Sequence, residues 1–179
     1  MSRPIPSPER SRQHIVFKGL DMSIEHIPFT PQGYETLKQE LENLKVVERP
    51  KVIQEIAEAR AHGDLKENAE YHAAREKQSF IEGRITILDD HIARANVISF
   101  EEDNPEIIKF GAFVTLEDEE GEEKTYRIVG DLEADISQNK ISLGSPIAKA
   151  LLGKRIDDVV EVKVPKGVME YTILEIKYK

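Results

Sequence analysis

The 179-residue chain contains no cysteine and no tryptophan, and only 6% of its residues are aromatic. The absence of cysteine excludes disulfides and thiolate metal sites. Few large aromatics beside 33% charged residues describe a soluble protein with modest cores, long enough for one ordinary domain or two small ones. Long hydrophobic runs are missing as well. The most apolar N-terminal stretch, Ile15 to Phe17, is cut off by Lys18 and is too short for a signal-peptide core, so the expected location is cytoplasmic, with no membrane partner. Basic residues are in deficit, 25 against 34 acidic ones, for a net charge of −9. Residues 1–21 carry +2, residues 22–98 carry −4 and residues 99–179 carry −7. Duplex affinity comes mainly from neutralising phosphates with Lys and Arg, so this chain is not a general nucleic-acid binder. Any contact with nucleic acid must be local or delegated to a partner.

What the chain does have is helical periodicity on both sides of Gly63-Asp64-Leu65-Lys66-Glu67-Asn68. Tyr34, Leu37, Leu41, Leu44 and Val47 recur at steps of three and four, and the apolar positions resume after Pro50 at Ile53, Ile56 and Ala57. On the outgoing side Ala74, Gln78, Ile81, Ile85, Leu88, Ile92 and Ala95 keep the same rhythm, which predicts two antiparallel helices packed along a seam. At ~1.5 Å per residue, arms of roughly 30 residues make a rod about 45 Å long, with Asp64 and Glu67 at its far end. Thr30 followed by Pro31 marks the start of the first helix, with Ile27 and Phe29 packing back on its base. Pro50 predicts a kink or break near Val47 to Arg49. Gly63 is expected to end the first helix and Asp64 to open the second, Glu67 completing a capping box. For an arbitrary D-x-x-E at a helix start that structural role is the commoner one, and spacing alone does not make a metal site. His62 and His72 flank the tip without the i, i+4 spacing of a zinc pair.

Residues 1–21, with Pro4, Pro6 and Pro8 and no periodicity, read as a disordered extension. Residues 22–99 read as the hairpin domain, Asp103-Asn104-Pro105 as a linker, and residues 105–179 as a small globular domain. There, Phe113 to Leu116 and Tyr126 to Val129 flank an acidic turn at Gly121, and Val159 to Val164 and Met169 to Ile176 flank Pro165-Lys166-Gly167. Both predict β-hairpins of an antiparallel sheet. Ser145 as N-cap, Pro146 at the first helical position and a terminal Gly153 predict one short helix between them. The run Glu117 to Glu123 lacks the ligand order of a calcium loop and reads as a solvated turn. The fold class is α+β.

The run Glu58-Ala59-Arg60-Ala61-His62-Gly63-Asp64-Leu65-Lys66-Glu67-Asn68-Ala69-Glu70-Tyr71-His72-Ala73-Ala74-Arg75-Glu76 resembles the tip of the bacterial Gre transcript cleavage (transcription elongation) factors, GreA type. Tyr126-Arg127-Ile128-Val129-Gly130-Asp131, Ile141-Ser142 and Ser145-Pro146-Ile147-Ala148 extend the likeness, which spans about residues 27 to 178. The resemblance implies a coiled-coil hairpin followed by a globular domain similar to the FKBP fold, without prolyl isomerase activity. In that family the globular domain docks at the rim of the bacterial RNA polymerase secondary channel, and the hairpin enters the channel to stimulate cleavage of the backtracked 3′ end of the nascent RNA. Asp64 and Glu67 match the two tip acids that help hold the second catalytic Mg²⁺ and orient the attacking water. The polymerase supplies the other ligands and the first metal, and the free protein holds none stably. This makes the factor an accessory to the polymerase's own endonuclease and not an enzyme. Arg60 and Arg75 match a basic patch that handles RNA, with Lys66 and Lys77 as nearby candidates, and the scarcity of basic groups fits the GreA type and short cleavage products. Ser145, Pro146 and Ile147 match a polymerase-docking loop, although an ordinary helix start explains them equally well. The alternative is a channel-inserting inhibitor of the same architecture, against which the Asp64, Glu67 pair argues in place of a denser acidic cluster.

Overall fold

The computed structural model describes residues 26–61, 68–100, 106–164 and 167–178. A three-residue strand β1 (Ile27–Phe29) leads into helix α1 (Pro31–Asn43), whose N-cap is Thr30 with its side chain accepting from the Gly33 amide. A π-helical turn, Leu44–Glu48, joins α1 to α2 (Arg49–Ala61) without breaking the rod. This is the disruption Pro50 predicts. Lacking an amide hydrogen and crowding the preceding turn, proline is accommodated by widening the helix just before it. The wide turn also advances the buried face by about one residue. The seam in α2 is therefore Val52, Ile56 and Ala59, whereas Ile53 is half exposed and Ala57 lies outside. The sequence reading that placed Ile53 and Ala57 on the seam is corrected by this phase shift.

The return arm is α3 (Ala69–Ala93), which buries Ala74, Ile81, Ile85 and Leu88 against the first arm. It ends two residues before Ala95, which belongs to strand β2 (Ala95–Val97) and not to the helix. β2 pairs in parallel with β1, Ile27 opposite Ala95 and Phe29 opposite Val97, so the base of the hairpin is tied by backbone hydrogen bonds as well as by the cluster of Phe29, Leu37 and Leu88.

The second part is a five-stranded sheet in the order β5-β4-β3-β7-β6. β3 (Phe113–Asp118) and β4 (Glu123–Val129) form the expected hairpin around Gly121, whose φ of 81° is open to glycine at little cost. β6 (Val159–Val164) and β7 (Gly167–Lys177) form the second hairpin, and β7 also pairs antiparallel with β3. The sheet is mixed rather than wholly antiparallel, because β5 (Lys140–Ser142) returns beside β4 in parallel after two 3₁₀ turns, Asp131–Glu133 and Ile136–Gln138. Those turns let the chain reverse twice between neighbouring strands, a connection that alternation of residues along one strand does not encode. The sheet curls over α4 (Pro146–Leu151), and Ala148 and Leu151 are buried against Val114, Ile128, Val162 and Ile173. Ser145 caps α4 through the Ala148 amide and Gly153 follows at φ 79°, as expected.

Candidate functional site

The two arms are held side by side by charge pairs that cross from one to the other. Going up from the base they are Lys45 with Asp89 at 2.7 Å, Arg84 with Glu40 at 2.7 and 2.8 Å, Arg49 with Glu82 at 2.7 and 2.5 Å, and Lys77 with Glu55 at 3.1 Å. The Arg49 and Arg84 pairs are bidentate, which gives them directional rigidity beyond point attraction. Hydrogen bonds from Arg49 hold the Glu82 carboxyl below the ordinary glutamate range, against a smaller opposing effect of desolvation. Exposed pairs of this kind add little to stability, so their main effect is on register and stiffness. Lys77, the nearby candidate for RNA contact, is exposed and paired with Glu55 on the other arm.

At the upper end, α3 opens on Asn68 and not on Asp64. The Asn68 Oδ1 accepts from the Tyr71 amide at 3.0 Å, and its Nδ2 donates to the Ala59 carbonyl of the other arm at 2.7 Å. One side chain thus caps α3 and ties it to the last turn of α2. The cap of α3 is four residues beyond Asp64, at an asparagine that can both accept from its own helix and donate across the hairpin, where aspartate would lack the donor; the Asp64, Glu67 capping box lies outside the described residues. His62, Gly63, Asp64, Lys66 and Glu67 lie outside the described residues, as does the reading of Gly63 as the end of the incoming helix. Asn68→Ala is expected to cost about 1 kcal/mol from the lost cap and more from the unpaired Ala59 carbonyl, and Asn68→Asp to recover only the cap fraction. Thermal melts of both variants beside the parent check this, and an Asn68→Asp variant as stable as the parent would mean that the bond to Ala59 contributes nothing.

Arg60, in the last turn of α2, lies with its guanidinium 5.7 Å from the centre of the Tyr71 ring on the opposite arm, and Tyr71 meets His72 edge to face. The contact restrains the Arg60 stem while leaving its fork of donors to the outside. Arg75 is exposed one turn further along α3 and donates to Gln78 at 2.7 Å. Ser145, Pro146 and Ile147 sit together at the start of α4. Ser145 is engaged as a cap, Pro146 is exposed, and Ile147 packs partly on the sheet core. The sequence reading passed over Asn68 and Tyr71. An N-cap residue type followed by Ala-Glu was a signal for the first, and the second had none.

A long clasped hairpin with a capped, basic-flanked end, followed by a curled mixed sheet, is the architecture against which the family matches can be read. A family model described as "Transcription elongation factor, N-terminal" matches residues 27–97, and one described as "Transcription elongation factor, GreA/GreB, C-term" matches residues 102–178. The chain belongs to the GreA/GreB family of transcription elongation factors. Within the family it is of the GreA type. It is 56% identical over 153 residues to transcription elongation factor GreA of Rickettsia canadensis, covering 85% of this chain and 94% of the relative. It is equally 56% identical over 154 residues to that of Pelobacter propionicus, covering 86% and 98%. Among solved structures, GreA factor homolog 1 of Thermus thermophilus is 34% identical over 84% of this chain and 98% of its own, at a TM-score of 0.40. The inhibitor alternative is not favoured by relatives that carry the elongation-factor name.

Proposed function

We propose that this factor acts on bacterial RNA polymerase, docking its sheet domain at the rim of the secondary channel and passing its hairpin inward to stimulate cleavage of backtracked nascent RNA. The observation that carries the reading is the hairpin itself. Its arms are pinned by four cross-arm charge pairs and closed at the top by Asn68, so the chain between them is carried at the end of a stiff support about 45 Å long. A compact domain has no such reach. Asp64 and Glu67 are the residues of that end that would hold a Mg²⁺ shared with the polymerase, since paired carboxylates are the hard oxygen donors this ion takes. When bound, the ion supplies Lewis-acid stabilisation and a more acidic water. The chain's own contribution is to bring the two acids to the scissile phosphodiester, to orient the attacking water, and to hold the RNA 3′ segment by its phosphates through Arg60 and Arg75. Ser145, Pro146 and Ile147 belong to the docking face, and the site of action is the cytoplasm.

RNA cleavage in a halted, backtracked elongation complex, with and without the protein, tests this. Stimulated release of short 3′ fragments is expected, and inhibition of elongation without cleavage would restore the inhibitor reading. The protein alone with Mg²⁺ is expected not to cut RNA. Two carboxylates leave most of the ion's octahedral shell to water and bind it weakly. Nuclease activity that follows the purified chain through successive fractionation steps would overturn the accessory role.

A further inference from the structure

Thr30 is 1% exposed and, among the described residues, is the one buried polar side chain. Its Oγ1 accepts from the Gly33 amide at 3.0 Å, capping α1, and donates to Glu133 Oε2. Its own amide donates to Glu133 Oε1 at 3.0 Å, and the same oxygen accepts from the Gly130 amide at 3.2 Å. One carboxylate from the sheet domain, 103 residues further along the chain, thus satisfies two donors at the start of the hairpin and one of its own turn. A carboxylate at a helix N-terminus is favoured both by those orphan donors and by the helix dipole. Two glycines make the approach possible. A Cβ on Gly33 would collide with the Glu133 carboxylate, and a Cβ on Gly130 would stand 2.7 Å from the Pro28 carbonyl oxygen. Around this bond Leu132 packs on the cluster of Phe29, Leu37 and Leu88, and Arg127 donates to Gln32 at 3.1 Å on the exposed side.

The contact is small, and the hairpin it carries is long. A rotation of about 10° at the base moves the end of a 45 Å rod by roughly 8 Å, whereas displacement of a reacting group by about 1 Å can already cost a hundredfold in rate. Resting on the function proposed above, we propose that Glu133 is the lock of this joint: by capping α1 from the sheet domain it sets the direction in which the hairpin leaves the docking domain. It is a positioning residue and touches neither RNA nor metal.

The absence of cysteine from the chain makes the test direct. Cysteines introduced at exposed Glu76 on the hairpin and Glu120 on the sheet domain carry spin labels, and pulsed electron resonance reads the distance distribution between the two parts. The parent protein and Glu133→Gln, which keeps an acceptor for the Thr30 and Gly130 amides, are expected to give one narrow distribution. Glu133→Ala and Gly33→Ala are expected to broaden it. Gly33→Ala is the sharper probe because alanine is the better helix former, so the joint should loosen while α1 itself gains. Gly83→Ala in α3, where an added Cβ meets nothing, is the matched control and should leave the distribution narrow. In the cleavage assay Glu133→Ala and Gly33→Ala should lower the maximal rate by about tenfold to a hundredfold, with the half-saturating concentration within about twofold of the parent. Narrow distributions in both variants would overturn the lock, whatever cleavage does. Broadened distributions with undiminished cleavage would overturn its positioning role. Broadened distributions in a protein whose parent stimulates no cleavage would leave the lock standing and remove the proposed function instead.

Discussion

Asp64→Asn and Glu67→Gln are each expected to leave the fold and polymerase binding intact and to lower cleavage stimulation by at least about a hundredfold. The magnitude follows from what a metal-held water contributes, several kcal/mol of charge stabilisation at about 1.4 kcal/mol per factor of ten. An amide keeps the size and hydrogen-bonding reach of the carboxylate but removes the negative charge that a hard cation requires of a protein ligand. The fold is insulated from these changes because α3 takes its cap from Asn68, whose side chain meets the Tyr71 amide and the Ala59 carbonyl. Thermal melts, competition binding to polymerase, and cleavage rates over a range of Mg²⁺ concentrations are to be measured on the same preparations. Folded variants that bind normally and cleave at the parent rate would remove Asp64 and Glu67 from the chemistry.

Leu88→Ala is expected to destabilise the protein by about 2–5 kcal/mol, the range for deleting a fully buried leucine side chain. Leu88 is wholly excluded from solvent in the base cluster with Phe29 and Leu37, on which Tyr34, Ile27 and Leu132 also pack. Its cluster neighbours come from β1, α1, β2 and the turn after β4, elements anchored separately by the strand ladder and the sheet. They cannot all move inward to fill the hole, which places the cost toward the upper part of the range. For a chain of this length that corresponds to a fall in melting temperature of about 5–15 °C. Phe80→Ala, at a side chain 74% exposed on the same helix, is the contrast and should change stability by no more than about 0.5 kcal/mol. A Leu88→Ala loss no larger than the Phe80→Ala loss would show that the base cluster does not hold the hairpin together.

The readings that held are those whose physics is local. Thr30 before Pro31 and Ser145 before Pro146 start helices because a hydroxyl three residues ahead of an amide can satisfy it whatever the rest of the chain does, and both side chains are found there. The β-hairpins around Gly121 and between β6 and β7 have the same character, since a short turn returns the chain onto the residues just before it. The family likeness at residues 58–76 was legible for a different reason, being a matter of residue identity rather than of geometry.

What escaped the sequence reading depends on partners distant along the chain. Widening at Leu44–Glu48 shifted the seam from Ile53 and Ala57 to Val52, Ile56 and Ala59, because a helix that must keep one face on α3 while passing Pro50 corrects its phase where the partner demands it. The cap of α3 is Asn68, whose side chain takes a second bond to the Ala59 carbonyl, nine residues back on the other arm. β5 lies parallel to β4, and β1 beside β2, because edge strands take the neighbour that tertiary packing brings to them. The sequence by itself determined where α1, α4 and the β-hairpins begin, the charge, and the family, all properties of neighbouring residues or of their identity. Only the tertiary structure decided the phase of the seam, the closure of the hairpin by Asn68, and the bond from Thr30 to Glu133, since each requires two groups far apart in the chain to be brought within hydrogen-bonding or van der Waals distance.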